Sequence, residues 1–160
     1  MTERMDWKAI IWAAIIAGVV FMMLEMALVA TVGDGSPWGP PRMIAAMAMG
    51  KGVLPPPATF EPVPMLVAML VHFTVSLVYA AILGWVISRR NLGLGMSLLV
   101  GTLFGLLLYF VNFYVFTAVW PWFAMARGMI SIFAHAVYGL TLGWTYRALT
   151  SQHVTVIEER

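Results

Sequence analysis

The chain has 160 residues, 62% of them hydrophobic and 10% charged, against roughly 45–50% and about 25% in ordinary soluble domains. A soluble fold cannot hide that much apolar surface, so lipid is the expected solvent, in line with a mean hydropathy of +0.90. A net charge of +2 is too small to suggest nucleic-acid binding, and the absence of cysteine excludes disulfides, thiolate metal sites, iron–sulfur ligation and cysteine nucleophiles.

The first apolar run, Ala9 to Thr31, is longer than a signal-peptide core, contains Glu25 and lacks a small-x-small cleavage site, so it reads as a retained span. Trp7 and Lys8 suit its entry as an aromatic anchor and a snorkelling cation, and Gly33-Asp34-Gly35 ends it. The stretch that follows, Ser36 to Pro64, is too polar and proline-rich to span. Within this loop Pro40 and Pro41 open a short helix that runs to Gly50, with Met43 and Met47 one turn apart, expected to lie on the membrane surface. Pro55-Pro56-Pro57 predicts a stiff, extended connector.

A second span covers Pro64 to Ser88 and stops at Arg89-Arg90; a third covers Leu92 to Trp120. The tight turn at Asn91 predicts that these two are antiparallel neighbours. Trp120-Pro121-Trp122 marks an interface, and a fourth span runs from Arg127 to Arg147 before a polar tail, 148–160. The expectation is one all-α membrane domain over 1–160, a four-transmembrane-helix bundle with a lipid bilayer as its main partner and a homo-oligomer or a second membrane protein as further candidates.

Orientation follows from Lys and Arg. Arg4, Lys8, Arg89, Arg90, Arg147 and Arg160 fall on one side, and Arg42, Lys51 and Arg127 on the other. Positive-inside therefore places both termini in the cytoplasm and the proline-rich loop, 32–63, outside. An internal echo joins the second and fourth spans: Tyr79-x-x-x-Leu83-Gly84-Trp85 matches Tyr138-x-x-x-Leu142-Gly143-Trp144, which suggests two repeated helical hairpins.

Ionisable groups inside a span cost about 2.5–3.5 kcal/mol on insertion scales, and only Glu25, His72 and His135 lie within these spans. Counted from the same side of the membrane, Glu25, His72, Asn112 and His135 come from four different helices at a depth of roughly 9–12 Å. Helical spacing puts Met22 with Glu25 on one face, His72 with Ser76 and Tyr79 on a second, Gly101, Gly105 and Asn112 on a third, and Ser131, His135 and Tyr138 on a fourth. One buried polar cluster is the expected result. It can be a self-satisfied network that locks helix register, or a site for a proton, ion or ligand.

His72 and His135 have the residue types for a b-type haem, and together with Glu25 for zinc or non-haem iron, although the expectation is that no cofactor is bound. Met-x-x-x-Met pairs at Met22/Met26, Met43/Met47, Met65/Met69 and Met125/Met129 offer soft ligands for Cu(I), with Met22, Met26, Met65 and Met69 the candidates, while the plainer role of methionine is flexible apolar filler. No phosphate loop, nucleophile elbow, zincin helix or paired carboxylate site is present, so an enzyme is not indicated.

The runs Gly35-Ser36-Pro37-Trp38-Gly39-Pro40-Pro41-Arg42-Met43-Ile44-Ala45 and Val53-Leu54-Pro55-Pro56-Pro57-Ala58-Thr59-Phe60 are similar to those of small four-span bacterial inner-membrane proteins of unknown function, some labelled sodium:proline symporter. That resemblance implies an inner-membrane location and no chemistry. Pro37-Trp38-Gly39-Pro40-Pro41-Arg42 also resembles the first loop of the tryptophan-rich sensory protein family, which binds porphyrins and sterols; the five spans of that family confine the likeness to this loop. The expected role is a binding or accessory component of the membrane, with a haem- or copper-handling protein as the alternative.

Overall fold

A computed structural model describes residues 5–158, with side chains described through Thr150. Arg4 and Arg160, which entered the charge count, lie outside the described residues. Five α-helices make up the fold: α1 (Trp7–Thr31), α2 (Gly39–Met49), α3 (Pro62–Arg90), α4 (Leu94–Phe110) and α5 (Met129–Glu158), and there is no strand among the described residues. Three helical stretches are long and apolar enough to cross a membrane: Trp7–Thr31, Pro62–Arg90 and Leu94–Ala118.

Local chemistry explains most of the boundaries. The Asp6 carboxylate accepts from the Lys8 and Ala9 amides at 2.9 and 3.1 Å, which satisfies two of the donors that a helix start leaves open and begins α1 two residues before the apolar run. Pro62 and Pro64 occupy the first turn of α3, where a missing amide hydrogen costs nothing. Asn91 ends α3 in a left-handed conformation (φ 47°), a geometry that asparagine tolerates, and its amide returns to the Ile87 and Ser88 carbonyls.

Two boundaries differ from the sequence expectation. The third apolar stretch is not one α-helix: after Phe110 it widens into a π-helical turn, Val111–Val115, and then tightens into a 3-10 turn, Phe116–Ala118. The last helix does not stop at Arg147 but continues to Glu158, because nothing between them breaks it: there is neither proline nor glycine in that segment. The Pro55–Pro57 connector also departs from an extended run, since the Pro55-Pro56 and Pro56-Pro57 peptide bonds are cis.

Small residues decide how the helices pack. α1 buries Ala9, Ala13, Ala14, Ala17 and Gly18 toward its neighbours and turns Ile11, Trp12, Ile15, Val19 and Met23 outward. α5 packs against α1 on one side and α4 on the other, and α1 packs against α3. The closest approach is between α4 and α5. A Cβ on Gly139 would collide with the Gly101 carbonyl oxygen and with Gly105, one on Gly105 with the His135 carbonyl, and one on Gly143 with the Ser97 carbonyl. Glycines four apart on both helices therefore let the two backbones touch, a packing that suits membranes because lipid provides no hydrophobic drive for larger side chains to associate.

The sequence reading made α3 and α4 neighbours because a short turn joins them. Beyond that turn they scarcely touch. The helices pair instead as α1 with α3 and α4 with α5, and the two pairs meet through α1 and α5. Space is left between α3 and α4, bridged by side chains such as Tyr79 and Phe104, whose rings are 6.4 Å apart.

One end of the bundle is capped. α2 packs on α3 with Met43, Ala45 and Ala46 buried, so its apolar side faces protein. The 3-10 segment Pro121–Ala126 tucks beneath it: Trp122 is buried against Met43 and Ala46, and its indole N–H donates to the Met43 carbonyl at 3.0 Å. Buried Arg42 organises the loop from inside, donating to the carbonyls of Val53 and Thr59 and to the Glu61 carboxylate, each at 2.9 Å.

Candidate functional site

The space between α3 and α4, closed by α2 and the Pro121–Ala126 segment, is a cavity of about 110 Å³. Glu25, His72, Asn112 and His135 all line it, together with Ser76, Tyr79 and Tyr138. The four polar residues that the sequence placed at one depth thus share one wall. The remaining lining is apolar, with Phe21, Phe113, Phe116 and Phe123 from four different turns, and Met43 and Met47 from α2.

A chain of hydrogen bonds crosses this wall. The Tyr79 hydroxyl donates to Asn112 Oδ1 at 2.7 Å, and Asn112 Nδ2 stands 3.1 Å from His135 Nε2. His135 Nδ1 lies 2.7 Å from the Ser131 carbonyl, which can only accept, so the ring proton sits on Nδ1 and Nε2 accepts from the Asn112 amide. The Ser131 hydroxyl then donates to Glu25 Oε1 at 2.6 Å. Each donor in the series meets an acceptor with a neutral His135, and residues from α1, α3, α5 and the π turn are linked.

Asn112 reaches both partners because it lies in the π turn. A wider turn at this point presents one more residue to the interior than an α-turn does, and π turns recur at functional sites for that reason. Arg127 holds the far end of that segment: its Nε donates to the Phe113 carbonyl at 2.7 Å, and its guanidinium lies 4.2 Å from the centre of the Tyr114 ring.

A second, separate set serves helix packing. The Ser76 hydroxyl donates to the Ala14 carbonyl at 2.9 Å and receives the Tyr138 hydroxyl at 3.0 Å, which ties α3, α1 and α5 together. His72 Nε2 faces the Gly18 carbonyl at 2.9 Å, so that nitrogen carries the proton and Nδ1 is left as an acceptor. Gly18 is required here: a Cβ would stand 2.9 Å from the Phe73 ring and 3.3 Å from His72 Nε2.

The haem and metal readings lose support at this level. Both histidine Nε2 atoms are engaged by protein partners, and the Phe21 ring packs against both imidazoles, with centroids 5.7 Å from His72 and 4.8 Å from His135. A macrocycle cannot stand between them. No group of three His, Asp or Glu side chains among the described residues gathers at metal-ligand spacing, so Glu25, His72 and His135 line one wall without forming a ligand set. Of the methionine pairs, only Met43 and Met47 line the cavity: Met22 is buried, Met26, Met65 and Met69 are half-buried, and neither these four nor Met125 and Met129 line it.

Sequence reasoning missed Phe21, which touches three of the polar side chains, and the phenylalanines of the 113–123 segment. Their signal was available only as an aromatic-rich stretch, which reads equally as membrane-boundary decoration. It also missed that Glu25 is only half satisfied. Glu25 Oε2 is buried with no hydrogen-bond partner, one of two such side-chain atoms among the described residues, the other being Thr145 Oγ1, which is not in the cavity. No protein-family model, curated protein or solved structure matches the chain.

Proposed function

We propose that this chain is a four-span bundle of the bacterial inner membrane, with both termini cytoplasmic, that works as a binding or accessory component through the cavity beside Glu25. The observation that carries this reading is the carboxylate itself: Glu25 lines the cavity, is 95% buried, holds one oxygen on Ser131, and has no partner for the other. An unmet buried acceptor costs about 1–3 kcal/mol, so this oxygen calls for a donor that the protein's own side chains do not supply. Buried orphans of this kind mark places where a proton or a ligand arrives.

The fourth span in this proposal is α5. It is less apolar than α1, α3 and α4, carrying His135, Thr141, Thr145 and three tyrosine or tryptophan residues. That composition suits a helix packed between α1 and α4, where protein rather than lipid covers much of its surface. Pairing of α1 with α3 and of α4 with α5 agrees with two helical hairpins, and the echoed positions share environments: Leu83 and Leu142 are buried, Trp85 and Trp144 about half exposed. α2 serves as a cap on the site rather than as a surface helix.

Topology is checked by reporter fusions. Fusions after Asn91 and after Arg160 are expected to report cytoplasm and fusions at Lys51 the opposite side, as the distribution of Lys and Arg requires. A cytoplasmic Lys51 would overturn the orientation.

The site is checked by chemistry on Glu25. A hydrophobic carbodiimide reacts with a carboxyl group that it can reach from the bilayer, so the folded protein in lipid is expected to gain one adduct at Glu25, absent in Glu25→Gln. Glu25→Gln is expected to keep the thermal stability within about 1 kcal/mol, because an amide still meets Ser131. A Glu25 that stays unmodified in the folded protein while modified after denaturation would mark a sealed structural cluster and end the binding reading.

A further inference from the structure

Resting on the reading of the Glu25 cavity as a binding site, we propose that its ligand is a small alkylammonium ion, a protonated primary or secondary amine whose N–H donates to the Glu25 carboxylate and whose alkyl group lies among the lining phenylalanines Phe21, Phe113, Phe116 and Phe123. Four features of the cavity select this class. The unmet group is an acceptor and, when ionised, an anion, so its partner is a donor and preferably a cation. Most of the other polar groups around it are already committed: His135 to Asn112 and Ser131, Asn112 also to Tyr79, and His72 Nε2 to Gly18, which leaves His72 Nδ1 as a second acceptor for a ligand N–H.

The lining includes four phenylalanine rings, which suit a cation with apolar substituents. The size limits the ligand further. About 110 Å³ is less than the roughly 150 Å³ that accepts a benzene in an engineered core, which leaves room for about five non-hydrogen atoms.

Competing occupants fit less well on the same observations. A hard metal cation such as Ca²⁺ seeks six or more oxygens, and Glu25 offers one free oxygen with no second carboxylate near it. A bare proton converts Oε2 into a donor and leaves it seeking an acceptor. A single water satisfies Oε2 and leaves most of the apolar volume empty, whereas an alkylammonium meets the carboxylate and fills the aromatic end together.

The test is equilibrium binding of isobutylamine, with isobutanol as its neutral counterpart of the same shape, to the full chain in lipid nanodiscs, read by isothermal titration. Isobutylamine is expected to bind saturably at one site and isobutanol at least tenfold more weakly. Glu25→Gln is expected to lose at least tenfold in amine affinity, and Phe113→Ala several-fold. Equal binding of amine and alcohol, or no saturable amine binding to the wild-type chain, would overturn the ligand class. These outcomes stand apart from the binding-site reading itself, which fails only if Glu25 resists the carbodiimide in the folded protein. The comparison of amine with alcohol needs no variant, so it decides the matter even if Glu25→Gln does not fold.

Discussion

Gly139→Leu is expected to prevent folding of the bundle. Gly139 sits where α5 crosses α4, and an added Cβ would overlap the Gly101 carbonyl oxygen and fall 2.7 and 2.8 Å from the Gly105 backbone N and Cα. Nothing flexible can move aside, because the obstacles are main-chain atoms of a neighbouring helix. Overpacking in ordinary cores costs about 1–3 kcal/mol where side chains adjust; here the helices must separate, which also pulls apart the contacts that hold His135 beside Asn112. The measurement is resistance to detergent-induced unfolding followed by circular dichroism, with Gly95→Ala as the control. Gly95, in the first turn of α4, has open space around it, so a methyl group there is expected to leave stability within about 0.5 kcal/mol of wild type. Wild-type stability in Gly139→Leu would show that α4 and α5 are not in backbone contact.

Arg42→Ala is expected to release the loop between α2 and α3. The guanidinium is 6% exposed and makes three hydrogen bonds at 2.9 Å, to Val53, Thr59 and Glu61. Its loss removes the donors for two carbonyls and unpairs Glu61, with hydrogen bonds to charged groups contributing about 1.5–3 kcal/mol each. Glu61 is half exposed and its ion pair alone is worth little, so Glu61→Gln is expected to be mild, within about 1 kcal/mol. Arg42→Lys is expected to rescue poorly, because a single ammonium cannot reproduce the planar fork that serves three acceptors. Limited proteolysis reads the effect directly: cleavage between Gly50 and Glu61 is expected to accelerate at least tenfold in Arg42→Ala and to stay near wild type in Glu61→Gln. Unchanged protection in Arg42→Ala would show that the apolar contact of Trp122 with Met43 and Ala46 holds the cap without the arginine.

Composition and periodicity by themselves determined that the chain is helical and apolar enough for a membrane, where α1 and α3 run, and that a short helix follows Pro40, and they singled out Glu25, His72, Asn112 and His135, which line one cavity. These are consequences of properties each segment carries alone: a spanning helix needs about 20 apolar residues, proline starts helices, and a rise of 1.5 Å per residue converts sequence position into depth. Tertiary structure decided the rest. Loop length predicted that α3 and α4 would pack together, but the glycines of α4 gain more by meeting Gly139 and Gly143 of α5 than α3 can offer across the turn, so a gap opens where a seam was expected. Which groups touch around that gap depends on helix rotation and on the π turn at Asn112, both set by packing between distant segments. Residue counting expected Glu25, His72 and His135 in one layer; only the placement of Phe21 against both imidazoles, and of Ser131 on one oxygen of Glu25, decided how these groups are paired and left one carboxylate oxygen without a partner.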